Sequence, residues 1–292
     1  MIENDIQKFE CSAVVNGCEI ELTNHCGLNC IGCIRKECKY FGFLTFDILK
    51  SIVEIIKNKG YTEIVLSGLG DVFLHKDLYK FIDHIFKHIP KIKIYIMTKG
   101  QSVKNYDIDK ILEYKLKNFN IGLTFSIFSL NKNTYHDITG GGDLDSLLNL
   151  IKYSHKKGIN FSFEFLLNNI NIGNVNIYKN FSKLFGKEFI YSIPHNWGGL
   201  LMDSEYRQIF NFDILNKFIN KRFGGERCEA FIGKYLFFDY NGDIYKCGLK
   251  RFDKNFFLGN VNKLNNNLFI SKLSYNSCIN CSYYNYRTNI NI

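Results

Sequence analysis

No apolar run in the 292-residue chain reaches the roughly 18 residues that a membrane-spanning helix needs. The start, MIENDIQKFE, lacks the basic-then-apolar order of a secretion signal. Prolines number two, methionines three and tryptophans one, so turns must be read from glycines and Asn-Gly pairs. Acidic side chains are outnumbered, 28 against 37 Lys and Arg, for a formal charge of +9. These shortages predict a cytoplasmic protein without a membrane partner. The lysines are dispersed, as in HKKG and LNKFINKRFGG, and not gathered with aromatics on one face, which argues against a nucleic-acid partner.

What the chain has in quantity is cysteine, ten in all. Cytosolic thiols are kept reduced, so ten of them point to metal ligation ahead of a disulfide framework. The length and the 46% hydrophobic content suffice for one large barrel-type domain plus an appendage.

Along the chain, CSAVVNGCEIELT reads as two short strands around Asn16-Gly17, a dipeptide suited to a tight hairpin. Helical and strand-like segments then alternate. LTFDILKSIVEIIKNKG closes on Gly60 and TEIVLS follows; helices over 76–89, 107–117, 143–157 and 173–186 alternate with KIKIYIMT, NIGLTFSIF, INFSFEFLL and EFIYSI. Strands separated by helices pair in parallel through right-handed crossovers, which predicts an α/β fold, a partial (β/α)6 TIM-like barrel over 1–197. Chemistry in such barrels gathers at the C-terminal ends of the strands. After a connecting segment, 198–227, a small Cys-rich unit over 228–292 contains a hairpin around Asn241-Gly242.

Cys26, Cys30 and Cys33 follow the first strand with the spacing CxxxCxxC. Three thiolates on one loop hold three irons of a four-iron cluster and leave the fourth open to another ligand. Zinc is the alternative, with Cys38 or His25 as the fourth ligand. Cys228, Cys247, Cys278 and Cys281 form a second set that closes either a complete cluster or a zinc site. Cys11 and Cys18 read as small buried hydrophobes.

The cysteine spacing after the first barrel strand resembles the radical S-adenosylmethionine (SAM) superfamily, over nearly the whole chain. Gly32 departs from the bulky residue that members often place before the third cysteine. Gly68, Leu69, Gly70 and Asp71 stand where the superfamily usually has a Gly-Gly-Glu-Pro-like stretch facing SAM. MTKG, with Thr98, and FSIFS, with Ser126, resemble further strand ends that line the cofactor, and Glu164 is a second acid for the same role. The C-terminal cysteines resemble a twitch appendage, the shortened form of the SPASM domain. The resemblance implies SAM and two [4Fe-4S] clusters as cofactors, and a flavodoxin- or ferredoxin-type electron donor as partner. Cys38 is a candidate hydrogen donor; His195, Asn196 and Trp197, in YSIPHNWGG, are candidate substrate-pocket residues.

Twitch enzymes of this kind include dehydrogenases of aminocyclitols, in which a closed auxiliary cluster accepts an electron. The expectation is therefore two-electron oxidation of a small polar substrate. An epimerase or a peptide-modifying enzyme is the alternative, and a zinc-stabilised nucleic-acid-binding protein is the non-enzymatic one. Only 25 residues precede Cys26, against roughly 80 for a peptide-recognition domain, which shifts the expectation toward a small molecule. Cyclisation of the molybdopterin type fits less well, because its second cluster resembles a three-cysteine set with an open iron.

Overall fold

The computed structural model describes residues 16–192 and 235–263. Six parallel strands alternate with helices along the chain: β1 (Gly17–Glu21), α1 (Phe46–Lys59), β2 (Glu63–Ser67), α2 (Leu78–His88), β3 (Lys93–Thr98), α3 (Asn105–Leu116), β4 (Asn120–Ile127), α4 (Lys132–Thr139), α5 (Leu144–Lys157), β5 (Phe161–Leu166), α6 (Val175–Leu184) and β6 (Ile190–Ser192). They form the expected α/β partial barrel. Three short strands follow, β7 (Tyr235–Phe238), β8 (Asp243–Tyr245) and β9 (Phe257–Asn260). The single sheet runs β6-β5-β4-β3-β2-β1-β7-β8-β9. No helix among the described residues is long and apolar enough to cross a membrane.

Local chemistry explains the helix limits. The Thr45 hydroxyl accepts from the Ile48 N–H to start α1, and Gly60 ends it in the left-handed conformation. Asp143 and Gly158 do the same for α5. α4 was not expected from periodicity. It is short, but Asn131 caps it through the Thr134 N–H and Gly140 closes it.

Alternation along the strands sorts two faces. Cys18 and Ile20 of β1, Leu22 just past it, Leu66 of β2 and Phe161, Phe163 and Phe165 of β5 lie in the apolar layer beneath the helices. Around β5 the rings of Phe181, Phe185 and Tyr178 pack edge-on or stacked against that row. Cys18 is fully buried there and acts as a small hydrophobe. By the period of two, Glu19, Glu21, Ser67, Thr124, Ser126, Ser162 and Glu164 face the lumen.

The hairpin expected around Asn16-Gly17 is corrected by the pairing. β1 has β2 on one edge and β7 on the other, both parallel. A strand has only two edges, so no antiparallel partner can lie beside it. The C-terminal hairpin around Asn241-Gly242 does form, and it continues the barrel sheet instead of standing apart. The expected boundary between barrel and appendage falls outside the described residues.

Candidate active site

The chain leaves β1 at Glu21 and runs through Thr23, Asn24 and His25 into the loop that carries Cys26, Cys30 and Cys33. Thr23 donates its hydroxyl to the Gly42 carbonyl (2.7 Å), and Asn24 bonds Tyr40 and Gly42 through both ends of its amide (2.8 and 2.9 Å). The return of the loop toward α1 is thereby tied to its beginning. On the far side the C-terminus of α4 clamps it. The Asn29 and Ile31 N–H groups donate to the Thr139 and Ile138 carbonyls (3.0 and 2.9 Å), acceptors that a helix end leaves without intrahelical partners. Arg35 donates to the Leu28 carbonyl and lies over Phe41.

All three thiols are free of disulfides, Cys30 buried and the other two half-buried. Burial pushes Cys30 up to about 11 and raises Cys26, while the Lys99 ammonium pulls both the other way. Cys26 and Cys33 also act on Cys30 electrostatically, so the three sulfurs share one neighbourhood. The donor set fits a four-iron cluster with one iron left open. Its binding would displace the thiol protons. Among the described residues no three His, Cys, Asp or Glu converge on a single point. Gly32 sits at φ +69°, a left-handed conformation that explains glycine where a bulky residue is common.

The stretch Gly68–Asp71 leaves β2 directly against this loop. A Cβ on Gly70 would lie 2.2 Å from the Thr23 carbonyl oxygen and 2.4 Å from that of His25. Gly68, at φ +120°, would meet Glu21 side-chain atoms at 2.5 Å. The Asp71 N–H donates to the His25 carbonyl (2.9 Å). The Asp71 carboxylate accepts from the Phe73 N–H (3.2 Å) and from the Thr98 hydroxyl (3.3 Å to one oxygen), and that hydroxyl also receives the Gly100 N–H (2.9 Å). Burial raises Asp71 above the usual carboxylate range, with the Phe73 N–H and Lys99 among the opposing influences. Thr98 follows the parity of Ile94 and Ile96 and is buried with Asp71, away from the lumen. Ser126 and Glu164 are register neighbours on the lumen face. Glu164 is raised by desolvation and lowered by Lys99.

Cys38 lies just past the cluster loop. Burial raises its thiol, Glu21 adds to this, and Arg251 and the Asn24 side chain oppose it. Of the second set only Cys247 is described, half-buried on the segment after β8. Cys11, Cys228, Cys278, Cys281, His195, Asn196 and Trp197 lie outside the described residues.

Sequence reasoning missed four contributors. Lys99 lies inside MTKG next to Thr98, and its charge reaches Cys26, Cys30, Asp71 and Glu164. The clamp from α4 has no motif. Glu21 and Arg251 form a buried ion pair (2.6 Å) between residues distant in sequence. Asn171, fully buried, bonds the Phe128 and Leu166 carbonyls just past β4 and at the end of β5.

Residues 20–179 match the radical SAM superfamily. The chain belongs to that superfamily. Among curated relatives, a GTP 3',8-cyclase of Alkaliphilus oremlandii is 30% identical over 222 residues, covering 70% of this chain and 64% of its own length. A GTP 3',8-cyclase of Alkaliphilus metalliredigens is 30% identical over 150 residues, 50% of this chain and 45% of the relative. The chain thus spans about half to two thirds of the length of these relatives. Among solved structures, anSMEcpe with bound AdoMet and the Cp18Cys peptide superposes with a TM-score of 0.66 at 15% identity, over 85% of this chain and 78% of that one. At that identity the likeness concerns the fold. Radical SAM membership makes this an enzyme that uses SAM and a [4Fe-4S] cluster.

Proposed function

We propose that the protein oxidises a small polar substrate, preferably one carrying an amine, by two electrons. When bound, the cluster and SAM supply reductive cleavage of SAM to methionine and a 5′-deoxyadenosyl radical that takes a hydrogen atom from substrate carbon. Cys26, Cys30 and Cys33 hold the cluster. The backbone of Gly68–Gly70 would face SAM, and Asp71, tied to Thr98 and His25, fixes that backbone in place. Ser126 and Glu164 face the same lumen. Cys228, Cys247, Cys278 and Cys281 would hold the second cluster, the acceptor for the electron left on substrate after its proton departs. The electron that starts the reaction would come from a flavodoxin- or ferredoxin-type donor.

The observation that carries the substrate class is the charge of the lumen face. Glu164 lies on it beside Ser126, whereas Glu21 is neutralised by its ion pair with Arg251 and Glu19 is taken up by the Ser67 and Tyr235 hydroxyls, so Glu164 is the carboxylate that would meet a substrate amine. Carboxylates attract an ammonium and repel a triphosphate at close range.

A second reading, ring closure on GTP, is supported by the name shared by the curated relatives. Anaerobic turnover in deuterated water separates the two. Oxidation of an aminocyclitol or amino sugar gives a product two mass units lighter with no carbon-bound solvent deuterium. Consumption of GTP to an isomer of unchanged hydrogen count would replace the first reading by the second, and solvent deuterium at carbon, lost in Cys38→Ala, would favour an epimerase.

A further inference from the structure

The loop Gly68–Asp71 is held from below by one carboxylate. Glu21 Oε1 accepts the Leu69 N–H at 2.6 Å, and the Glu21 side chain fills the space that a Cβ on Gly68 would need. The same oxygen accepts from Arg251 Nη1 at 2.6 Å. Glu21 is 1% exposed and the Arg251 side chain 7%, so water does not take part. Arg251 is itself fixed twice. Its Nε donates to the Gly248 carbonyl (2.9 Å), and its guanidinium carbon lies 4.0 Å from the centroid of the fully buried Phe237 ring. Gly248 follows Cys247, and a Cβ on it would meet the Phe237 ring at 2.8 Å. One continuous bonded path therefore runs from the Cys247 segment through Gly248, Arg251 and Glu21 to the Leu69 amide.

A second contact beside it supports the same join. Glu19, two residues earlier on the same face of β1, accepts from Ser67 Oγ at the end of β2 and from the Tyr235 hydroxyl at the start of β7, both at 2.5 Å. β1 thus carries two carboxylates, one bridging β2 to β7 and the other bridging the loop after β2 to the segment between β8 and β9.

We propose that Glu21 and Arg251 are positioning residues that couple the Cys247 segment to the loop 68–71, so that a displacement at the C-terminal thiol site changes how firmly that loop holds SAM. This rests on the assignment of the loop to SAM made above, but the mechanical coupling does not. A path of buried, charge-assisted bonds transmits displacement because neither end can relax into water. Coupling of this kind is reciprocal, so SAM on the loop would also steady the Cys247 segment. A merely structural ion pair would lower global stability and leave the loop, once folded, unchanged.

The test uses residue-resolved hydrogen exchange on the full-length chain without metal, then SAM binding on the cluster-loaded protein. Arg251→Met should speed exchange at Leu69 at least tenfold while β3 and β4 are unchanged. Arg251→Lys, which keeps the charge but loses the second bond to Gly248, should fall between. In loaded protein with equal iron content, Arg251→Met should weaken SAM about tenfold and diminish the change that SAM makes in the electron paramagnetic resonance spectrum of the reduced cluster, and Arg251→Lys should restore part of both. Leu69 exchange within twofold of the unmodified protein in both variants overturns the coupling, and if Arg251→Met does not fold, the lysine variant decides alone. Faster Leu69 exchange in a protein that binds no SAM leaves the coupling standing and removes the SAM assignment instead.

Discussion

Two cysteine-bearing segments meet on either side of β1. The loop beyond its C-terminal end places Cys26, Cys30 and Cys33 within eight consecutive positions and is clamped by the carbonyl end of α4. The segment after β8 brings Cys247 to the opposite edge through parallel pairing of β7 with β1 and a buried ion pair spanning 230 positions. The first is local, three ligands fixed by a short loop, and its chemistry is visible in one line of sequence. The second depends on contacts whose loop-closure entropy is large and which only the assembled sheet can reward. A ligand set and the scaffold that aims it are separable: the first three thiols are encoded together, and their supports come from the Tyr40–Gly42 return, the end of α4 and the loop after β2.

The sharpest way to break this contrast is to delete the local set. Changing Cys26, Cys30 and Cys33 together to Ala should abolish SAM cleavage while leaving about half the iron of a two-cluster protein, four of roughly eight atoms. Iron analysis with a 5′-deoxyadenosine assay reads both. Loss of all iron would make the C-terminal set dependent on the first.

Gly70→Ala probes the close approach of loop to loop. Its Cβ would stand 2.2 Å and 2.4 Å from two backbone oxygens that have no flexible side chain to move. The expected loss is about 2–4 kcal/mol of stability, with SAM binding reduced in whatever protein folds. Thermal unfolding under anaerobic conditions measures it, and an unchanged midpoint would show that the loop relaxes freely.

Asn131→Ala removes the cap of α4 and should cost about 1 kcal/mol. The informative readout is hydrogen exchange at Asn29 and Ile31, which should quicken because the carbonyls they donate to belong to that helix. If only α4 itself exchanges faster, the clamp is not what holds the cluster loop.

The smallest effect belongs to the C-terminal side. Burial holds Asp239, in the β7–β8 turn, at about 7, far above the 3.8 of an unperturbed carboxyl, with the Asp243 N–H opposing. Between those values the folded chain binds the proton and the unfolded chain does not. The stabilisation is therefore complete below about pH 4 and is lost as pH rises through 7. Asp239→Asn keeps the oxygen that accepts from the Asn241 and Asp243 N–H groups, both 2.9 Å. It should gain on the order of 1 kcal/mol at pH 8, less than half of that at pH 5 and nothing below about pH 4, flattening the profile. Equal stability changes at both pH values would contradict the assignment.

The order of the barrel was legible in the chain alone, because buried parallel strands and capped amphipathic helices are local patterns, and so was the grouping of the three candidate cluster ligands, because thiolates on one loop need only short spacing. The glycines at 68 and 70 were also legible as a turn, although not the reason for them, which is the Glu21 side chain against Gly68 and the Thr23 and His25 carbonyls against Gly70. Tertiary structure alone decided which edge of β1 the C-terminal hairpin would take, and so displaced the hairpin expected at Asn16-Gly17. It alone paired Glu21 with Arg251, brought Lys99 toward the thiols, and set the end of α4 against the cluster loop. Each of these joins groups far apart in the chain, through hydrogen bonds and charges that have no period and no spacing, and exists only once burial has removed the water that would otherwise satisfy them.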